Sequence, residues 1–334
     1  MKALQQAGYM IECISFFSEK EYETFTSPKR TILDKSGLVA TCFLRSLSRA
    51  LFHKKYDGVY LQREATPFGT DFIERAWTRE IPLLVDFDDA IWITNISEEH
   101  KRFTWLKDPQ KLSKLLRRAK VVTVCNDFLA SYAQRYAADV RIIPTTIDTD
   151  LYRPTEPLWR SFVTIGWTGS RTTTAYLRMI EGPMRQLYEK YRDKIRFRFI
   201  GASGYSPPFP AEILPWQAHT EVEDLQAIDI GVMPLPEEAW SLGKCALKAL
   251  QYMALGKATV ASPVGMNYEV IQEGINGLFA RTPAEWVEKI SYLIEHPQVR
   301  HSLGHAARET VETKYSVRAN AQKYIEAFEA AFGT

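Results

Sequence analysis

Short apolar runs, five to nine residues long, recur along the whole chain with longer amphipathic stretches between them. The first set is YMIECISFF (9–17), GVYLQR (58–63), LLVDFDD (83–89), VVTVCN (121–126) and VRIIP (140–144). The second is FVTIGWTG (162–169), RFRFIGAS (196–203), DIGVMPL (229–235) and ATVAS (258–262). Runs this short and this rich in Val, Ile and aromatics predict buried strands. Helical patterns fill the gaps, notably over 172–191 and 244–255, and again from Pro283 onward. Strand–helix–strand alternation predicts mainly parallel sheets covered by helices on both faces. Between the two sets, PTTIDTDLYRPTEPLWRS (144–161) carries three prolines and little periodicity, and it predicts a linker. The expected architecture is α/β, with two doubly wound, Rossmann-like domains facing a cleft. The boundaries are 1–150 and 151–315, followed by a C-terminal helix over 316–334 that returns toward the first domain. Ligands in such folds sit beyond the carboxyl ends of the strands.

Composition narrows the function classes. With 334 residues, 46% apolar and 25% charged, the chain is a globular protein of about two domains rather than a disordered or coiled-coil one. Forty-two Lys and Arg against 40 Asp and Glu give a net charge of +2, so no global pull toward nucleic acid exists. The charge is nevertheless uneven. Residues 29–55 hold seven basic residues and one acid, and 101–120 hold eight and one. A basic amphipathic helix can lie on an anionic membrane surface, or simply present a solvated face beside a core face. No run of about 18 apolar residues is present, and no secretory core follows Met1. A cytoplasmic location, peripheral at the inner face of a membrane, is the expectation. The four cysteines form no CxxC pair. His301 and His305 are spaced i, i+4 but lack an HExxH pattern, so no metal site is expected. Neither GxGxxG nor GxxxxGK[ST] occurs, which counts against a dinucleotide oxidoreductase and a P-loop NTPase.

Chemistry concentrates in PLPEEAWSLGKCALKALQYMALGKATVASPVGMNYEVIQEGINGLFA (234–280). It runs as strand end, polar loop, helix, strand and loop. Gly243 lets the backbone pass close to a ligand, and a helix is expected to begin around Lys244. A helix N-terminus offers free N–H groups and a positive dipole end, which suits a phosphate. Lys244 adds charge there, and Lys248 stands one turn on, on the same face. The alternative is a helix start with two exposed lysines. Asp86, Asp88 and Asp89 end an apolar run. Acids there are paired, cap a helix, contact a ligand, or bind a divalent cation. Arg63 and Glu64 follow another strand, as site residues or as a plain salt bridge. Trp216 reads as core or as a ligand contact. Glu221, Glu223 and Asp224 read as favourable charge at a helix start.

LQYMALGKATVASPVGMNYEVIQEGINGLFA resembles the C-terminal signature of the retaining glycosyltransferases of family 4, often called glycosyl transferases group 1, which have the GT-B fold. VDFDDAIW (85–92), IPTTIDTDLYRP (143–154) and IGWTGSRTTTAYL (165–177) follow the family's order and distances, so the resemblance covers roughly residues 5–330. It implies transfer of a sugar from a nucleotide diphosphate-sugar to a glycan or lipid-linked acceptor in polysaccharide biosynthesis. No resident cofactor or metal is implied. The donor-binding residues it implies are Gly169, Ser170, Arg171, Gly243, Lys244, Cys245, Lys248 and Gln251. Lys244, Arg171 and Asp88 are the implied catalytic residues. Two departures stand out. The family glutamate that grips the ribose falls on Gln251, and the one that contacts the donor sugar falls on Gly243. The other reading is therefore a non-catalytic GT-B protein that binds a nucleotide-sugar or a partner. The resemblance also places a first strand–loop–helix unit, about 25–35 residues, ahead of Met1.

Overall fold

The computed structural model describes residues 2–27, 30–52, 56–66, 69–93, 108–155 and 160–333. They fall into two compact units, Met1–Ile143 with Ala321–Thr334, and Pro144–Asn320.

The first unit holds a parallel sheet of β1 (Val59–Gln62), β2 (Leu83–Phe87), β3 (Val121–Val124) and β4 (Val140–Ile142), in that spatial order. Leu83, Leu84, Val85, Phe87, Val121, Val122 and Val124 are all buried. Near-continuous apolar strands are what a sheet covered on both faces requires. The end of the chain supplies part of that cover. From the helix Val317–Phe332, Ala327, Phe328 and Ala331 pack with Leu84 and Val121.

The run 9–17 corrects the expectation of a strand. Residues 9–15 carry no sheet pairing. Tyr9 and Ile11 pack into the cluster that contains Phe328, and the Tyr9 and Phe328 rings meet edge-on at 5.4 Å. Met10 is fully exposed. The alternation in this run is satisfied by a helix's side chains rather than by a β-ladder.

A buried ion pair fixes the turn after β1. Lys111 Nζ lies 2.8 Å from Glu74 Oε1, with the side chains 3% and 0% exposed. The same ammonium donates to the Thr66 carbonyl at 2.7 Å and to Thr66 Oγ1 at 2.9 Å. Glu74 Oε1 also accepts from the N–H groups of Ala65 and Thr66. This accounts for part of the basic stretch 101–120, whose first seven residues lie outside the described ones. Lys114 pairs with Asp108, Arg118 donates to Thr78 Oγ1, and Arg117 stands over the Tyr136 ring. Four of the five described basic residues of this stretch thus turn to partners within the unit, and Lys120 is exposed. The other basic stretch contains the helix Ile32–Phe52, which leaves Ile32, Leu33, Leu44 and Leu51 exposed.

The second unit contains β5 (Val163–Thr168), β6 (Ile195–Ile200), β7 (Glu212–Leu214), β8 (Ile230–Met233), β9 (Ala258–Ala261) and β10 (Leu278–Phe279). All pair in parallel, in the order β10-β9-β8-β5-β6-β7. The chain builds outward from β5 to β7, then returns to the other side of β5 with β8. The boundary between β5 and β8 is therefore a topological switch point, where parallel α/β sheets bind ligands at their carboxyl edge. The segment 144–161 is not simply a linker. Ile147 bridges to Ser316, and Tyr152 is buried in this unit. Residues 156–159 lie outside the described ones. The expected helix 172–191 is broken, with a turn at Arg171–Thr173 and helices at Thr174–Arg178 and Glu181–Tyr191.

Candidate functional site

Three loops leave the carboxyl ends of β5, β6 and β7 side by side. Gly169 N–H donates to the Ile200 carbonyl at 3.0 Å, and Gly201 N–H donates to the Leu214 carbonyl at 2.8 Å. Gly201 has φ +76°, and a Cβ built on it would lie 1.9 Å from the Gly169 carbonyl oxygen. Only glycine allows the two backbones to approach this closely. Ser170 caps the following turn, its N–H bonded to Thr173 Oγ1 at 3.0 Å. Arg171 opens that turn and is exposed.

The loop after β8 ends in Gly243, Lys244 and Cys245, and the helix runs Leu247–Ala254 rather than starting near Lys244. Ala246, the residue before it, has φ +55°, a left-handed conformation that a side chain disfavours, and no side chain caps the helix. Gly243 and Cys245 are buried, and the Cys245 sulfur lies 3.9 Å from the Gly243 carbonyl oxygen. The lysines stand on aromatic faces. Lys244 Nζ is 4.8 Å from the Trp240 ring centre, and Lys248 Nζ is 4.8 Å from that of Trp167. Trp167 is fully buried, and its ring abuts Gly169. The buried Tyr252 hydroxyl accepts the Thr168 N–H at 2.9 Å, pinning this helix to the end of β5. Burial pushes the Tyr252 phenol well above its ordinary range. Lys248, Gly169 and the helix therefore share one edge of the sheet.

Gln251, on the same helix, joins a network that the sequence did not reveal. Its Nε2 donates to Tyr152 Oη at 3.1 Å and to Glu221 Oε1 at 3.2 Å. Tyr152 donates to Glu221 Oε2 at 2.6 Å, and the Trp216 indole N–H donates to Glu221 Oε1 at 2.7 Å. Burial, and then the bond to Glu221, drive the Tyr152 phenol above its usual range. Glu221 lies at a helix start, as its position in the sequence suggests, yet its carboxylate collects three donors. Trp216 is not core, being 51% exposed. Nothing in the sequence pairs Tyr152, read as part of a linker, with a helix 99 residues away.

Asp88 belongs to the first unit, beyond β2. Arg63, whose φ is +62°, forks onto it, with Nε 2.5 Å from Asp88 Oδ1 and a terminal nitrogen 2.7 Å from Asp89 Oδ2. Asp86 is half-buried on β2 and accepts from Thr123 Oγ1 at 2.5 Å. Burial raises its carboxyl above the ordinary range and Asp88 adds to this, against the pull of Thr123, Tyr60 and Arg63. The folded unit thus keeps a proton that the unfolded chain releases first. The stability this contributes is complete below the ordinary carboxylate value and is lost as pH rises through Asp86's raised value. Asp86→Asn is expected to flatten that loss. Urea unfolding at several pH values should show a stability difference that moves in the variant's favour as pH rises from about 4 to 7. A pH-independent difference would contradict it. Among the described residues, no group of three or more His, Cys, Asp or Glu could hold a metal ion.

Parallel α/β units, the second with a glycine-lined, lysine-bearing edge at its switch point, define the GT-B class of glycosyltransferase folds. Residues 179–296 match the family Glycosyl transferases group 1. Trehalose synthase of Pyrococcus horikoshii is 30% identical over 80 residues, which span 24% of this chain and 19% of that protein. The match thus covers about a fifth of that relative's length. Sucrose-phosphate synthase from Thermosynechococcus elongatus superposes with a TM-score of 0.64 at 15% identity, over 91% of this chain and 79% of that one. Anabaena HepE, solved in complex with UDP-glucose, superposes with a TM-score of 0.62 at 16% identity, over 90% of this chain and 84% of that one.

Proposed function

We propose that this protein is a glycosyltransferase that moves a sugar, with retention, from a nucleotide diphosphate-sugar to a glycan or lipid-linked acceptor. The observation that carries this reading is the edge at the β5/β8 switch point. Close-packed Gly169 and Gly201 let a diphosphate approach the backbone, with Lys244 in the loop after β8 and Lys248 on the helix that follows it. In this reading Gly169, Ser170, Gly243, Cys245 and Gln251 shape the donor pocket. Arg171 and Lys244 stabilise charge that builds on the departing diphosphate, since charge fixed before reaction needs no reorganisation. Asp88, held by Arg63, meets sugar hydroxyls from the first unit, which takes the acceptor. HepE's UDP-glucose complex supports a nucleotide diphosphate-sugar as the donor class. The protein itself supplies the binding and charge, without a resident cofactor.

Lys244→Ala is expected to weaken nucleoside-diphosphate binding by about 1–3 kcal/mol, the scale of a lost charged hydrogen bond. Unchanged affinity in calorimetry would remove Lys244 from the site. A second reading, a non-catalytic GT-B protein, is favoured by Gly243 and Gln251 standing where the family has glutamates. Binding without sugar transfer or donor hydrolysis would select it.

Peripheral membrane association, in the cytoplasm, belongs to the same reading. It rests on the exposed leucines of Ile32–Phe52 and the basic residues around them. No helix among the described residues is long and apolar enough to cross a membrane. Co-sedimentation should be greater with anionic than with neutral liposomes. Equal pelleting would reject an electrostatic contact.

A further inference from the structure

Trp216 is a large apolar side chain left half in solvent, yet it is not loose. Its indole N–H is held by Glu221 at 2.7 Å, and Glu221 is in turn held by Tyr152 and Gln251, both buried. Three side chains from three separate parts of the second unit thus fix the orientation of one exposed ring. Its backbone stands at the same edge, since a Cβ on Gly201 would lie 3.3 Å from Trp216 Cβ and 1.9 Å from the Gly169 carbonyl. Fixing an exposed tryptophan sacrifices its rotamer freedom, and that is offset where the ring face has a flat partner. Sugars and phosphates on the lysine side of this edge do not need one. A heteroaromatic base does, and base–aromatic stacking tolerates every base because each has a π-face.

We propose that Trp216 is the stacking platform for the nucleobase of the donor, and that Glu221 is the positioning residue that aims its ring. The proposal rests on the donor reading above and adds which side chain meets the base. Trp216 then sets affinity for the nucleoside part of the ligand and leaves the diphosphate part to Gly169, Gly201 and the lysines. Glu221 works through Trp216, with Gln251 and Tyr152 holding it from behind.

The test is calorimetry on the full chain with UDP, GDP, ADP and inorganic pyrophosphate. Trp216→Ala should weaken the preferred nucleoside diphosphate on the order of 10-fold, the scale of one lost base stack. Its pyrophosphate affinity should stay unchanged. Trp216→Phe, which keeps a ring face but loses the N–H that Glu221 holds, should restore only part of the loss. Glu221→Ala should weaken the nucleotide with pyrophosphate unaffected, and Glu221→Gln, which keeps an acceptor for the indole, should recover it. Equal loss for nucleotide and pyrophosphate in Trp216→Ala, or no loss for either, overturns the inference. In both cases the donor reading stands if the unaltered chain binds the nucleotide. Failure of the unaltered chain to bind any nucleoside diphosphate overturns the donor reading and this inference with it.

Discussion

Lys111→Met is expected to destabilise the first unit by about 3–5 kcal/mol, the scale for removing one partner of a buried ion pair. The reason is the carboxylate left behind. Glu74 is wholly buried, its Oε2 has no hydrogen-bond partner among the described residues, and its Oε1 would keep only the N–H groups of Ala65 and Thr66. The methionine fills the space of the lysine stem but offers nothing to Glu74 or to the Thr66 carbonyl. The double variant Glu74→Gln with Lys111→Met removes the stranded charge, so it should lose clearly less than the single one. Denaturant unfolding of the three proteins decides it. Equal losses in the single and double variants would show that the charge pairing is not what holds the turn after β1. That turn leads from Arg63, so loosening it should also disturb the fork onto Asp88 and Asp89.

Gly201→Ala is expected to cost roughly 2–5 kcal/mol, from a left-handed backbone imposed on a side chain together with a backbone overlap. The overlap falls on the Gly169 carbonyl oxygen, which is main chain and cannot rotate away. The β5 and β6 loops must then separate, and the proposed diphosphate surface separates with them. Gly204 is the internal control. Its φ is +80°, but a Cβ there meets nothing within 4 Å. Gly204→Ala should therefore carry the conformational cost alone, about 1 kcal/mol. Denaturation midpoints compared with nucleotide affinities test the point. Similar losses at the two glycines would mean that the close approach is unimportant.

These two sites illustrate what a linear reading can and cannot see. Eight of the apolar runs contain strands, because near-continuous Val, Ile and Leu are needed wherever a parallel sheet is covered on both faces. β7 and β10 escaped because three and two residues carry no pattern. The run 9–17 misled because alternation describes a half-buried segment and does not name its partner. Lys111 looked like one more member of a basic stretch, since sequence does not distinguish a buried lysine from a solvated one. Gly169 and Lys244 were legible from the loops that follow β5 and β8. The Glu221 network was not, because it joins Tyr152, Trp216, Glu221 and Gln251 across 99 residues. The sequence around Trp216 fits both core and ligand contact, and its exposure separates the two. The Gln251 amide is directed to Tyr152 and Glu221, so a carboxylate does stand beside position 251, carried by a different helix.

The central claim is that the carboxyl edge of the second unit's sheet takes a nucleotide diphosphate-sugar. The most direct measurement is a thermal-shift screen of the purified chain against UDP, GDP, ADP, CMP and their sugar conjugates. A ligand that binds only the folded state raises Tm. The account predicts a clear rise with one nucleoside diphosphate and its sugar conjugate, and a smaller rise for the same ligands in Lys244→Ala. A well-folded sample whose Tm moves with none of them would contradict it.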